Sequence, residues 1–183
     1  MSSWIKHLDL DSLPAATDFN LHTSFTKVAD IIRTPPGARR KTVITFQPTI
    51  SQKHWKSVDQ WIYLFVIDGK LVKIGGTRTG LLKRTQSYLC GHHTADRGKS
   101  GTCSVTNAHI YNTLDQYIEK GSVCEMFAFL LPRITVTLDV WGASTTIVPQ
   151  VYTAYETKAL ESFKTQFGRY PVLSDNSDPT HRE

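Results

Sequence analysis

Trp61-Ile62-Tyr63-Leu64-Phe65-Val66-Ile67-Asp68-Gly69-Lys70-Leu71-Val72-Lys73-Ile74-Gly75-Gly76 is the stretch that decides the fold. Two runs rich in β-branched and aromatic residues flank an Asp-Gly pair, the strongest short-range signal for a β-hairpin. The hairpin carries a phenol, Tyr63, on one strand and an ammonium, Lys73, on the other. Two registers are open. A two-residue turn pairs Ile67 with Lys70 and sends Tyr63 and Lys73 to opposite faces. A three-residue loop with Gly69 as a bulge pairs Val66 with Lys70 and sets Tyr63 directly opposite Lys73, their Cβ atoms about 5 Å apart. The second is adopted because it gives the Lys73 ammonium a polar neighbour.

Downstream of the hairpin, residues 79–89 read as a helix whose core stripe is Leu81, Leu82, Thr85 and Leu89. Arg84 and Tyr88 lie together on its flank, since i,i+4 side chains are neighbours on a helix. Gly75-Gly76 leaves room for close approach of backbone or ligand at the strand exit. Two hydroxyl-bearing aromatics, a lysine and an arginine gathered this closely make a poor apolar core and a good anion site.

A second helix is expected near 106–120, ended by Gly121, then a buried strand over 123–131 and an alternating strand over 135–140. Pro149 opens a long helix that stops at Gly168. Upstream, Phe25, Val28, Ile31 and Ile32 have helical spacing, Pro35-Pro36-Gly37 breaks the chain, and a β-like run covers 42–46. The expected fold class is α/β (α+β): a small central antiparallel or mixed sheet that starts with the hairpin and is flanked by helices. Residues 1–60 are expected to form an N-terminal accessory arm, residues 61–176 the main domain that contains the hairpin, and residues 177–183 a polar tail.

The long helix carries a carboxylate where none is expected. Its apolar stripe is Tyr152, Tyr155, Ala159, Leu160, Phe163 and Phe167, and at 100° per residue Glu156 falls near the middle of it. Glu161 falls on the opposite side. A carboxylate among aromatics is expensive unless a cation or hydrogen bonds compensate. Glu156 therefore reads either as half of a buried ion pair or as a ligand for a divalent cation at a cleft edge.

The 183 residues suffice for one good core, and 40% hydrophobic with 20% charged residues is ordinary for a globular chain. A net charge of +5 favours a polyanionic partner. The basic residues cluster at Arg39-Arg40-Lys41, over Lys70 to Arg84, and at Arg97 to Lys99. Together with Ser104, Thr106 and Asn107, the cations Arg39, Arg40, Lys41, Arg97 and Lys99 are candidate DNA contacts. No apolar run approaches the roughly 20 residues of a membrane span, and the N-terminus lacks the pattern of a signal peptide. Three cysteines build no disulfide framework, so a cytoplasmic protein is expected. Cys90, His92, His93, Cys103 and His109 invite a zinc reading, but their spacing matches no compact finger, and a Gly/Ser-rich loop beside a phosphate site accounts for them as well.

On these residues the chain resembles the GIY-YIG nuclease family. Ile62-Tyr63 is similar to the end of the first signature and Ile74-Gly75 to the end of the second; Arg84 matches the family's helix arginine, Tyr88 a further site tyrosine and Glu156 the metal-binding glutamate. Trp61 stands where the first signature has glycine, and Lys73 where the second has tyrosine. Pro171-Val172-Leu173-Ser174-Asp175-Asn176 is similar to the closing segment. The resemblance covers residues 61–176 and is nearest to the compact type II restriction endonucleases. It implies metal-dependent hydrolysis of double-stranded DNA, with Mg²⁺ on Glu156, by a homodimer, leaving a 5′-phosphate and a 3′-hydroxyl. It also implies a catalytic set of Tyr63, Lys73, Arg84, Tyr88 and Glu156, with Tyr63 as a phenolate base whose pKa is lowered by Lys73. The rival readings are a repair or mobile-element nuclease with the same core, a non-catalytic nucleic-acid-binding module, and a small-molecule phosphate enzyme.

Overall fold

The computed structural model of the chain describes residues 7–38, 42–90 and 104–174. The hairpin forms as expected. Strand β3 (Trp61–Ile67) and strand β4 (Lys70–Thr77) are antiparallel neighbours. Asp68 and Gly69 take φ of 48° and 76°, the left-handed conformations of a two-residue turn that follows the strand twist. Ile67 accordingly pairs with Lys70, which corrects the three-residue loop. One step further the register shifts, because Val66 faces Leu71 while Phe65 faces Lys73, leaving Val72 as an extra bulged residue. Tyr63 therefore lies opposite Gly75 and not opposite Lys73. The bulge nevertheless returns Lys73 to the Tyr63 face, since residues 63 and 65 share a face with their partners 75 and 73.

Three more strands complete a five-stranded sheet of order β2-β1-β5-β3-β4, with β1 (Thr26–Arg33), β2 (Ile44–Pro48) and β5 (Cys124–Leu130), every neighbouring pair antiparallel. The helix expected around 24–32 is thus strand β1. Its Val28, Ala29 and Ile31 are all buried, so the clean alternation of a half-exposed strand is lost and the apolar spacing mimics a helix. Val28, Ile31 and Ile32 are β-branched, and pairing on both sides decides the matter. Residues 1–60 consequently supply two strands of the main sheet, which runs across the expected boundary at residue 60.

The helices cover both faces. α1 (Gln52–Trp55) is a single turn capped by the Ser51 hydroxyl. α2 (Leu81–Leu89) and α3 (Val105–Glu119) pack Leu81, Tyr88, Leu89, Ile110 and Leu114 against Tyr63, Phe65 and Ile67. α4 (Tyr152–Phe167) packs Ala159 and Phe163 against Ile62, Leu64 and Ile74 on the other face, and ends at Gly168 with φ of 73°. The strand expected over 135–140 is β6 (Val136–Val140), which pairs with β7 (Ala143–Ile147) in a separate, exposed hairpin whose tip residue Trp141 is fully exposed. The outer edge of β4 is covered, because Leu71 donates to the Pro14 carbonyl and Leu173 to the Val72 carbonyl. Among the described residues no helix is long and apolar enough to cross a membrane.

Candidate active site

The hairpin, α2 and α4 converge beside Gly75 and Gly76. Tyr63 and Tyr88 are fully buried, and their hydroxyls lie 2.6 Å apart. Arg84 joins them: its Nε donates to the Tyr63 hydroxyl and its Nη2 to the Tyr88 hydroxyl, each at 2.8 Å. Its Nη1 reaches the Ser87 hydroxyl at 3.4 Å, and its guanidinium lies 4.5 Å from the centre of the Tyr88 ring. The i,i+4 spacing on α2 makes the Arg84–Tyr88 contact local. The Tyr63 contact depends on α2 being aimed at the hairpin. That aim starts at Gly80, where φ is 87° and a β-carbon would run into the Ser57 carbonyl.

The glycines are small for steric reasons here. A β-carbon on Gly75 would strike the Tyr63 hydroxyl and ring, and one on Gly76 would sit 2.8 Å from Glu156 Oε2 and 2.6 Å from the Tyr152 ring. Glu156 is half-buried and takes a hydrogen bond from the Gly76 backbone. Lys73, only 7% exposed, donates through Nζ to the Leu173 carbonyl at 3.1 Å. The Ser174 hydroxyl accepts from the Ile74 N–H at 2.9 Å and donates to the Ile74 carbonyl at 2.8 Å, which fixes the closing segment along β4.

Burial dominates the electrostatics. It raises the Tyr63 phenol, against the lowering influence of the Arg84 guanidinium and the Tyr88 hydrogen bond. This reverses the expected depression by Lys73, because a phenolate without water is harder to form than a neighbouring cation can offset. Tyr88 is raised further, by burial and then by Tyr63 itself. Arg84 donates to both phenol oxygens, and either hydroxyl of the pair can donate to the other. Burial, then Arg84, lowers Lys73 to about 8, with Glu156 opposing. Burial raises Glu156, while Lys73, the Gly76 N–H and Arg84 pull it back.

The five residues singled out from the sequence, Tyr63, Lys73, Arg84, Tyr88 and Glu156, are thus neighbours in space, and Glu161 is exposed on the far side of α4. The single carboxylate suits a hard divalent cation, which takes one or two carboxylates and fills its shell with phosphate oxygens and water. No group of three or more metal-ligating side chains occurs among the described residues. Of the candidate DNA contacts, Ser104 caps α3 by accepting from the Asn107 N–H, and Asn107 Nδ2 donates to the Ser87 carbonyl at 3.1 Å, so both are engaged within the protein. Thr106 is half-buried. Arg39, Arg40, Lys41, His92, His93, Arg97, Lys99, Cys103 and residues 175–183 lie outside the described residues. Cys90 donates to the Ser87 carbonyl, and His109 is buried within α3. Sequence reasoning missed Ser87, Ser174 and the Leu173 carbonyl. Only the Pro171–Asn176 segment gave a signal for the last two.

This architecture is that of a compact endonuclease fold. Among solved structures the chain is similar to the restriction endonuclease HPY188I in complex with product DNA, at 26% identity over 90% of this chain and 87% of that one, with a TM-score of 0.56. It is also similar to a mutant of bacteriophage T4 EndoII, at 20% identity over 81% of this chain and 92% of that one, with a TM-score of 0.48. No protein-family model matches the sequence, and no curated protein matches it.

Proposed function

We propose that the chain is a site-specific, GIY-YIG-type endonuclease that hydrolyses phosphodiester bonds of double-stranded DNA. The observation that carries this reading is the triangle of Tyr63, Tyr88 and Arg84 set beside Glu156 and Lys73. Likeness over nearly the whole chain to a restriction endonuclease crystallised with product DNA supports DNA as the substrate.

Arg84 directs three of its N–H groups at Tyr63, Tyr88 and Ser87. A guanidinium has five, so two stay available to a phosphate. Two N–H donors on one arginine match two phosphate oxygens and stabilise charge developing there. Tyr63 acts as the general base for the attacking water. Its hydroxyl is buried under Arg84, so it reaches that water once the guanidinium shifts toward the bound phosphate. As phenolate it keeps the donor of Tyr88, which stays protonated. Glu156 is the residue that would hold Mg²⁺, and the chemistry such an ion supplies is neutralisation of charge on the phosphate and the leaving 3′ oxygen. Cleavage on that side leaves a 5′-phosphate and a 3′-hydroxyl. Two copies of the chain, each cutting one strand, suit a symmetric site.

Lys73 offers a second base, because a pKa of about 8 leaves its amine partly neutral near physiological pH. Plasmid digestion with Mg²⁺ separates the two. Wild-type protein gives discrete bands, and Tyr63→Phe lowers the rate by about 10²-fold or more while DNA binding survives. Near-normal cutting by Tyr63→Phe, with loss only in Lys73→Met, hands the role to Lys73. A smear, or no cutting by the wild type, removes the site-specific nuclease reading.

A further inference from the structure

A cleft of about 350 Å³ opens beside the candidate site at the end of the sheet where β3 begins. Arg78 and Arg133 both line it. Their placement follows from the register. Trp61, the first residue of β3, pairs with Thr77 of β4 on one side and Leu130 of β5 on the other. Arg78 is one residue beyond Thr77 and Arg133 three beyond Leu130, so the two arginines flank β3. Adjacent strands lie about 4.8 Å apart, which puts the two backbones roughly 10 Å from each other.

The wall between them is held firmly. Gln60 Nε2 donates to the Pro149 carbonyl at 2.8 Å, and its Oε1 accepts from the N–H groups of Val151 and Tyr152 at 2.8 and 3.1 Å. That amide fixes the entry of α4 four residues before Glu156. Both arginines are exposed, and neither has an ion-pair or hydrogen-bond partner among the described residues. Asp59 also lines the cleft, so the three charged side chains sum to +1 there (two arginines less one aspartate).

We propose that this cleft is a second phosphate site: Arg78 and Arg133 grip a phosphodiester of the DNA strand being cut, one or two nucleotides from the scissile bond. The inference rests on the nuclease reading above. Arg78 follows Gly76, the partner of Glu156, by two residues, a reach of about 7 Å along a strand. Phosphates on one DNA strand advance about 3.4 Å along the axis per nucleotide, which sets the offset. Guanidinium forks are matched to phosphate oxygens in pairs, and two unpartnered ones across a clamped wall meet a backbone from both sides. The site positions the strand; it carries no base readout.

The test is DNA binding by Arg78→Ala/Arg133→Ala, with Lys158→Ala on α4 as the control. The probe is a fluorescent 30-base-pair duplex containing the mapped cut site, titrated without metal at several KCl concentrations. Loss of the grip on that one phosphodiester should weaken binding by about tenfold or more and reduce the slope of log affinity against log salt by about 0.9 for each protomer on the duplex. Wild-type affinity and slope in the double variant overturn the inference. A second readout keeps the result independent of folding. A single neutral methylphosphonate placed one or two nucleotides from the cut should weaken wild-type binding, and a wild type indifferent to it at every such position also overturns the inference. Failure of the wild type to bind or cut the duplex overturns the nuclease reading instead.

Discussion

Glu156 carries the sharpest prediction at the level of single residues. Burial raises its carboxyl, so the ionised form is held at a net disadvantage despite Lys73, the Gly76 N–H and Arg84. Glu156→Gln keeps the shape and drops the charge. Cleavage should stop while the thermal midpoint stays level or rises, measured at neutral pH on protein without metal. A large drop in the midpoint would make Glu156 a structural ion-pair partner. Lys73 gives a second test. Its folded-state pKa of about 8 lies below the ordinary 10.5. Between those values the unfolded chain binds a proton that the folded chain has released, so this group adds stability as pH rises through that window. Relative to Lys73→Met, the wild type should gain on the order of 2 kcal/mol between about pH 7.5 and about pH 9.5 in denaturant unfolding. Parallel curves would show that Lys73 is not a desolvated ammonium. These residues stand out in the sequence because each breaks a local pattern: a carboxylate in an apolar stripe, a lysine in an apolar strand. The direction of the Tyr63 shift was not, because burial depends on the α2 and α3 contacts that no residue spacing near position 63 encodes.

Among the elements, β4 shows where legibility ends. The Asp-Gly turn and the two strands follow from their letters, but the bulge at Val72 has no letter of its own. Valine is an ordinary strand residue, and the extra step turns Lys73 toward the Tyr63 face. Strand β1 was misread for the opposite reason, since burial on both faces erased the period that identifies a strand. The β4–α4 junction sets Gly76 tightly against Glu156 and Tyr152. Gly76→Ala places a methyl against Glu156 Oε2 and the Tyr152 ring, and overpacking of this kind costs about 1–3 kcal/mol. Cutting should fall more than DNA binding does, because the displaced group is the carboxylate; unchanged turnover with an intact fold would show that the junction yields without moving Glu156.

At the scale of the whole molecule, two segments distant in sequence, around residues 14–16 and 173–174, both lie on the hairpin. Pro14 and Ala16 hydrogen-bond to Leu71 and Gly69, and Leu173, with no exposure, sits in the core while Ser174 binds Ile74 from both sides. Deleting residues 171–183 removes that leucine together with its carbonyl, so the Lys73 ammonium loses its acceptor and the Ile74 N–H and carbonyl lose Ser174. The expected loss is about 3 kcal/mol or more, read from denaturant unfolding; an unchanged midpoint would make the closing segment a passive appendage. The sheet order has a further consequence for biosynthesis. β1 with β2 and β3 with β4 are each made by neighbouring sequence, but β5 joins the two pairs, and Thr26 meets Ala128 across roughly a hundred residues. Until the ribosome has delivered residue 130, a nascent chain holds two apolar ribbons whose inner edges, β1 and β3, are both bare. Such edges recruit any extended strand nearby, and closure over so long a separation is slow. Cells making this protein in quantity should lose part of it to aggregation before the fifth strand arrives, and cooler or slower synthesis should recover it.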